Sequence, residues 1–197
     1  LIPVGQAFAQ EFGDKYSSAD ESEWLHIFKR RASAAMMDLI RDDLSKLGIR
    51  HEVFFSEYTL HESGRIPEMI DVLEKQGHVY RGILEPPKGK EPEGWEPREQ
   101  LLFRATNFGD DVDRPLQKSN GEYTYFAADI AYHYDKIQRG FYDMIDVFGA
   151  DHGGYVKRMK AAVDALSDGK AELDIKLAQR VRLFNNGEPY TMSKRAG

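Results

Sequence analysis

The sequence has 197 residues, 41% of them hydrophobic and including 11 Phe and 10 Tyr, enough for one substantial core or a core with a small insert. A charged fraction of 30% excludes the composition of a disordered chain, and no apolar run approaches the length of a bilayer span. Cysteine is absent, which excludes disulfides and thiolate metal sites, and the net charge of −6 argues against a surface that grips nucleic acid over its whole extent. No charged-then-apolar leader opens the sequence, and the expectation is a cytoplasmic protein with no membrane partner.

In chain order, the first expected element is a helix from Asp20 through Leu47. Trp24, Phe28, Ala32, Met36 and Leu39 recur there at helical spacing, and Gly48 supplies a stop. His51 to Phe55 reads as a short buried strand. Ile66 to Gln76 reads as a second amphipathic helix, with Ser63 as its cap and Pro67 in its first turn. Pro86 to Trp95 carries too much Pro, Gly and charge for regular structure and is expected to be an exposed loop. Arg114 to Ser119 and Glu122 to Phe126 flank Asn120-Gly121, the preferred pair for a tight hairpin turn. A helix from about Ala127 to Arg139, a strand from Met144 to Phe148 and a helix from Asp151 to Leu166 follow, the last with Asp151 as N-cap. Ala178 to Tyr190 reads as two strands around Asn186-Gly187. The alternation of helix and strand predicts an α/β protein with a largely parallel sheet.

Three clusters sit at element boundaries, where open α/β sheets hold ligands. Tyr125 and Asp129 are four residues apart at a strand-to-helix junction, so both can face one pocket. A carboxylate beside a phenol suits a guanidinium, whose planar fork of donors needs oxygen acceptors. The commoner use of such residues is a helix cap or salt bridge near His133 and Lys136, with Tyr125 packed in the sheet. Gly149-Ala-Asp-His-Gly-Gly154 follows a strand and opens a helix, a turn in which backbone amides can approach a nucleotide. Thr191-Met-Ser-Lys-Arg195 is a basic segment able to neutralise charge on separating phosphates. Glu62 is a lone acidic candidate in an expected loop. No spacing of His or carboxylates marks a metal site.

Taken together, these segments carry a resemblance. Met192-Ser-Lys194 resembles the lysine-bearing loop of class I aminoacyl-tRNA synthetases. Asp113-Arg-Pro-Leu-Gln-Lys-Ser-Asn-Gly121, then Tyr125-Phe-Ala-Ala-Asp-Ile-Ala-Tyr132 with Lys136, is similar to the arginine-specific branch, the arginyl-tRNA synthetases. So are Val147-Phe-Gly-Ala-Asp-His-Gly-Gly-Tyr155 and Phe54-Phe-Ser-Glu57 with Glu62 behind it. The resemblance covers nearly the whole chain.

It implies an α/β, doubly wound (Rossmann-like) nucleotide-binding fold, present in part, with residues 79–126 as an inserted loop and hairpin region. It also implies ATP-dependent activation of L-arginine to arginyl-adenylate, with Mg2+ accompanying the ATP, and transfer to the terminal adenosine of an arginine-accepting tRNA. In this family activation generally needs the tRNA present. By position, Tyr125, Asp129, Glu62 and His152 would contact arginine. Gly149, Asp151, His152 and Gly153 would line the ATP side. Met192, Ser193 and Lys194 would carry the catalytic loop, with Lys194 stabilising the leaving pyrophosphate. Thr191 stands where the family commonly has a first lysine. The family's His-Ile-Gly-His element and its anticodon-reading domain are expected to lie outside the 197 residues, which alone should be inactive. The alternatives are a non-catalytic relic of the fold that binds tRNA or a basic ligand, and a class I synthetase for another amino acid. The paired acids Asp129 and Glu62 favour a cationic substrate.

Overall fold

The computed structural model of the chain describes residues 2–84, 98–179 and 181–190. They fall into two compact units, residues 1–55 and 56–197. The first unit is helical, with α1 (Ile2–Phe12) and α2 (Glu21–Lys46). Asp20 caps α2 by accepting from the Ser22 amide at 2.9 Å, and Glu21 and Glu23 in the first turn favour the positive end of the helix dipole. What joins the two helices is aromatic: Phe8 and Phe12 of α1 pack on Phe28 with ring centroids 4.8 and 5.5 Å apart. Arg31 lies over both α1 rings and pairs with Glu11 through two bonds of 2.6 Å.

The strand expected over 51–55 does not form. A short apolar run needs a partner strand to complete its backbone bonds. Here Phe54 instead sits under the Arg41 guanidinium, 4.8 Å from its ring centroid, with the His51 ring 5.4 Å away.

The second unit begins with α3 (Glu57–Glu62) and α4 (Arg65–Lys75). Ser63, expected to cap the second helix, closes α3 instead, and Gly64 in a left-handed conformation starts α4. Ile66, Met69, Ile70 and Leu73 form the buried stripe of α4. The strands β1 (Val79–Gly82), β2 (Gln100–Phe103) and β3 (Arg114–Pro115) make an antiparallel sheet in that order. Leu101, Leu102 and Phe103 of β2 are all buried, which anchors the sheet in the core. The Pro-rich stretch 86–95 lies outside the described residues.

Residues 114–126 differ from a plain two-strand hairpin. Arg114–Pro115 pairs with β2, and only Gln117 and Tyr123 bridge across the turn. The turn is a three-residue loop: Lys118 N–H donates to the Glu122 carbonyl at 2.7 Å, and Gly121 takes φ 84°. Tyr125 and Phe126, expected at the end of a strand, already belong to α5 (Tyr125–Gln138).

The next elements form a strand–helix–strand unit. Strand β4 (Asp143–Gly149) leads through a 3-10 turn (Ala150–Tyr155) into α6 (Val156–Ser167), and β5 (Glu172–Ala178) returns parallel to β4. This is the one parallel pair in the described residues; both pairings of the three-stranded sheet are antiparallel. Asp151 lies inside the 3-10 turn and makes no capping bond, so the expected N-cap role is not seen. The final pair, β6 (Leu183–Asn185) and β7 (Glu188–Tyr190), turns on Asn186 and Gly187 at φ 51° and 84°, as that dipeptide predicts. The architecture is α/β with small sheets, and α4, α5 and α6 supply most of the buried apolar residues. No helix among the described residues is long and apolar enough to cross a membrane.

Candidate functional site

Helix α5 organises the site. Thr124 caps it by accepting from the Ala127 amide at 3.2 Å, while its own hydroxyl donates to the Pro115 carbonyl at 3.0 Å. That double use pins the helix start to β3 and fixes Tyr125 at the first position. Tyr125 is 81% exposed, too open for the sheet-packing role, and lines a groove of about 340 Å³. Glu57 and His61 of α3, Lys118 and Glu122 of the turn, and Ala128 of α5 are among its other walls. Lys118 pairs with Glu122 at 3.2 Å, whereas the nearest basic group to Glu57 is His61 at 3.8 Å. The balance of the groove suits a cation.

One turn into α5, Asp129 points to the neighbouring turn after β4. The Tyr155 hydroxyl donates to Asp129 Oδ2. Burial is the strongest influence on Asp129 and lifts its carboxyl above the ordinary range, against the Tyr155 bond and the nearby His133; Glu57 and Asp146 add to the rise as like charges. Burial likewise pushes the Tyr155 phenol far up, with Asp129 pushing the same way.

Beneath this pair lies a buried polar network that the sequence did not reveal. His133 Nε2 meets Asp146 Oδ2 at 2.8 Å, His133 Nδ1 meets the Asp129 carbonyl at 2.8 Å, and Lys136 donates to Asp146 Oδ1 at 3.0 Å. His133 and Asp146 are only 4% and 9% exposed. Burial pushes Asp146 up, but the bonds from His133 and Lys136 outweigh it and hold the carboxyl below its usual range. The network ties α5 to β4. It also corrects the helix-salt reading of Asp129, because His133 and Lys136 give their side chains to Asp146 and leave the Asp129 carboxylate to Tyr155.

The turn after β4 is open. His152 and Asp151 are exposed, with His152 Nε2 3.9 Å from Asp151 Oδ2. A Cβ on Gly149 would lie 2.5 Å from Asp151 Oδ1, so the glycine is what lets that carboxylate fold back over the strand end. Among the described residues no group of three or more His, Asp or Glu is placed to hold a metal ion.

No protein-family model matches the chain. Along all 197 residues it is 62% identical to the arginine–tRNA ligases of Roseobacter denitrificans and Ruegeria pomeroyi, and 60% identical to that of Paracoccus denitrificans. In each case it spans 34% of the relative's length. An arginyl-tRNA synthetase crystal structure from Campylobacter jejuni superposes with a TM-score of 0.76 over 97% of this chain and 38% of that one, at 29% identity. The chain is related along its whole length to arginine–tRNA ligases. The arginyl-tRNA synthetase of Plasmodium falciparum shares the fold at a TM-score of 0.58, covering 88% of this chain and 28% of that one, at 18% identity.

Against that relationship, the structure joins two of the three sequence clusters. Tyr155, in the turn that Gly149 leads into and that carries Asp151, His152 and Gly153, bonds Asp129 directly, and the His152 and Tyr155 rings are 6.5 Å apart. Glu62 is not in a loop but is the last residue of α3, beside the Tyr58 hydroxyl, whose pKa it raises. The acid of α3 that lines the groove is Glu57, which the sequence offers only as the end of the Phe54–Glu57 motif. Met192, Ser193 and Lys194 lie outside the described residues.

Proposed function

We propose that this chain forms part of the catalytic region of an arginine–tRNA ligase. Such an enzyme activates L-arginine with ATP and transfers it to the 3′-terminal adenosine of an arginine-accepting tRNA in the cytoplasm. In the first step a carboxylate oxygen of arginine attacks the α-phosphorus of ATP and pyrophosphate leaves. In the second, a ribose hydroxyl of the tRNA attacks the arginyl carbonyl and AMP leaves. The observation that carries the reading at the level of the site is the half-buried Asp129 carboxylate one turn below the groove residue Tyr125. In a partly dry site an anion pays for its desolvation when a guanidinium arrives, and a planar fork is favoured over an ammonium by angled oxygen acceptors.

In this proposal Asp129 and Tyr125 hold the guanidinium, with Glu62 as a further acidic contact. His152 lies toward the backbone end of arginine and the ribose, and Gly149, Asp151 and Gly153 border the adenosine. Lys194, with Met192 and Ser193, neutralises the separating pyrophosphate. Mg2+ is proposed only as the companion of the ATP phosphates, to which it supplies charge neutralisation.

The fold is proposed to be the doubly wound nucleotide-binding type. Support comes from β4, whose alternate residues Ile145 and Val147 are 69% and 70% exposed although apolar, while Met144 on the other face is buried. Strands apolar on both faces belong to parallel sheets covered by helices on both sides.

The full-length protein carrying this sequence should catalyse arginine-dependent exchange of pyrophosphate into ATP when its tRNA is present. Exchange supported by lysine and not by arginine, or none with any amino acid, refutes the assignment.

A further inference from the structure

We propose that Tyr155 is the positioning residue of the arginine site, fixing the rotation of the Asp129 carboxylate so that Oδ1 is presented to the ligand. The inference rests on the reading that Asp129 receives the guanidinium.

The geometry is specific. Tyr155 donates to Oδ2 of Asp129, and among the described residues no donor reaches Oδ1. A carboxylate at position 129 would otherwise turn about its side-chain bonds, and each rotamer it visits weakens a fork-shaped partner. The phenol itself cannot swing away. Its ring is held between Phe126 and Phe148, at centroid distances of 6.0 and 6.3 Å, and the Arg158 guanidinium lies 5.0 Å from the ring centre. Four elements therefore fix one hydroxyl, and the hydroxyl fixes one carboxylate oxygen: α5 through Phe126, β4 through Phe148, α6 through Arg158, and the 3-10 turn that carries Tyr155. Because that turn also carries His152, the aim of Asp129 is set from the side of the site proposed for the nucleotide.

The second consequence is electrostatic. The groups facing Asp129 are Tyr155 from the turn, His133 on its own helix, Glu57 from α3 and Asp146 from β4. Burial, Glu57 and Asp146 disfavour the carboxylate, whereas the Tyr155 bond and His133 favour it. Removing the phenol subtracts a stabilising bond from the anion and leaves the opposing influences in place. Asp129 must then take up its proton at higher pH than before.

The test is Tyr155→Phe in the full-length protein, which keeps the ring and its packing and removes only the donor. The expected result is an arginine KM raised about tenfold with little change in the KM for ATP, the size of one bond to a charged group. The acid limb of arginine affinity should also move to higher pH, and raising the pH should recover part of the loss. Carbon-13 NMR of the Asp129 carboxyl, read without substrate, should show its titration moving up in Tyr155→Phe. Site-specific 3-fluorotyrosine at 155, a stronger donor of the same shape, should move it down. An Asp129 titration that ignores both changes overturns the proposal, as does an unchanged arginine KM in Tyr155→Phe when Asp129→Ala raises it. If Asp129→Ala itself leaves the arginine KM unaltered, the guanidinium reading fails instead, and the NMR titrations still decide whether Tyr155 governs Asp129.

Discussion

Replacing Asp146 with alanine removes the acceptor from His133 and Lys136 at once. Both contacts are short, 2.8 and 3.0 Å, and the His133 and Asp146 side chains are 5% and 10% exposed. Breaking a buried charged pair by deleting one partner costs about 3–5 kcal/mol, because the remaining group is left without its counter-charge. Lys136 is 18% exposed and can swing toward water, which places the cost at the lower end, about 3 kcal/mol. For a chain of this length that corresponds to a loss of roughly 6–12 °C in Tm.

The two compact units need not unfold together, so the assay is amide hydrogen exchange read on β4 and α5, with urea unfolding as a second measure. The pH dependence follows from Asp146 being held below its ordinary value. A carboxylate depressed in the folded state adds stability that is full above its unfolded pKa and is lost as pH falls through the folded one. The advantage of the wild type over Asp146→Ala is therefore complete at neutral pH and shrinks only below about pH 4. A destabilisation under about 1 kcal/mol, the level of an exposed ion pair, refutes the reasoning.

Three further outcomes are expected. Lys194→Ala slows adenylate formation in single-turnover measurements while leaving arginine affinity nearly unchanged; the reverse pattern removes the loop from the leaving-group role. Gly149→Ala forces the Asp151 carboxylate off the strand end, and since that side chain is exposed and free to rotate, stability should fall by less than about 1 kcal/mol while the KM for ATP rises. Gly121→Ala places a side chain at φ 84° and should cost about 1 kcal/mol in urea unfolding, with a weakened groove because Lys118 and Glu122 flank the same turn.

The regular elements were legible where local chemistry decided them. Asp20 and the apolar spacing behind it announced α2 within a residue of its ends, and Asn186-Gly187 announced the last hairpin. Elements that depend on partners were not. Residues 51–55 had the apolar content of a strand, but a short apolar run does not by itself decide between strand and other structure, and β1 and β5 were missed because their pairing lies in other segments.

The site divides in the same way. Tyr125 and Asp129 were visible from their four-residue spacing. Tyr155 was not, because its relation to Asp129 spans 26 residues and exists only once the turn after β4 folds against α5. Asp146 carried a faint signal, an acid at an inward position of β4 between Met144 and Phe148, where burial demands partners. His133 and Lys136, noted near Asp129, were those partners.

Calorimetric titration of the full-length protein and its Asp129→Ala variant with arginine and with lysine tests the guanidinium pocket most directly. The account predicts that the wild type binds arginine in clear preference to lysine, and that Asp129→Ala weakens arginine by about tenfold to a hundredfold with ATP binding preserved. Equal affinity for the two amino acids, or arginine binding untouched by the substitution, would contradict it.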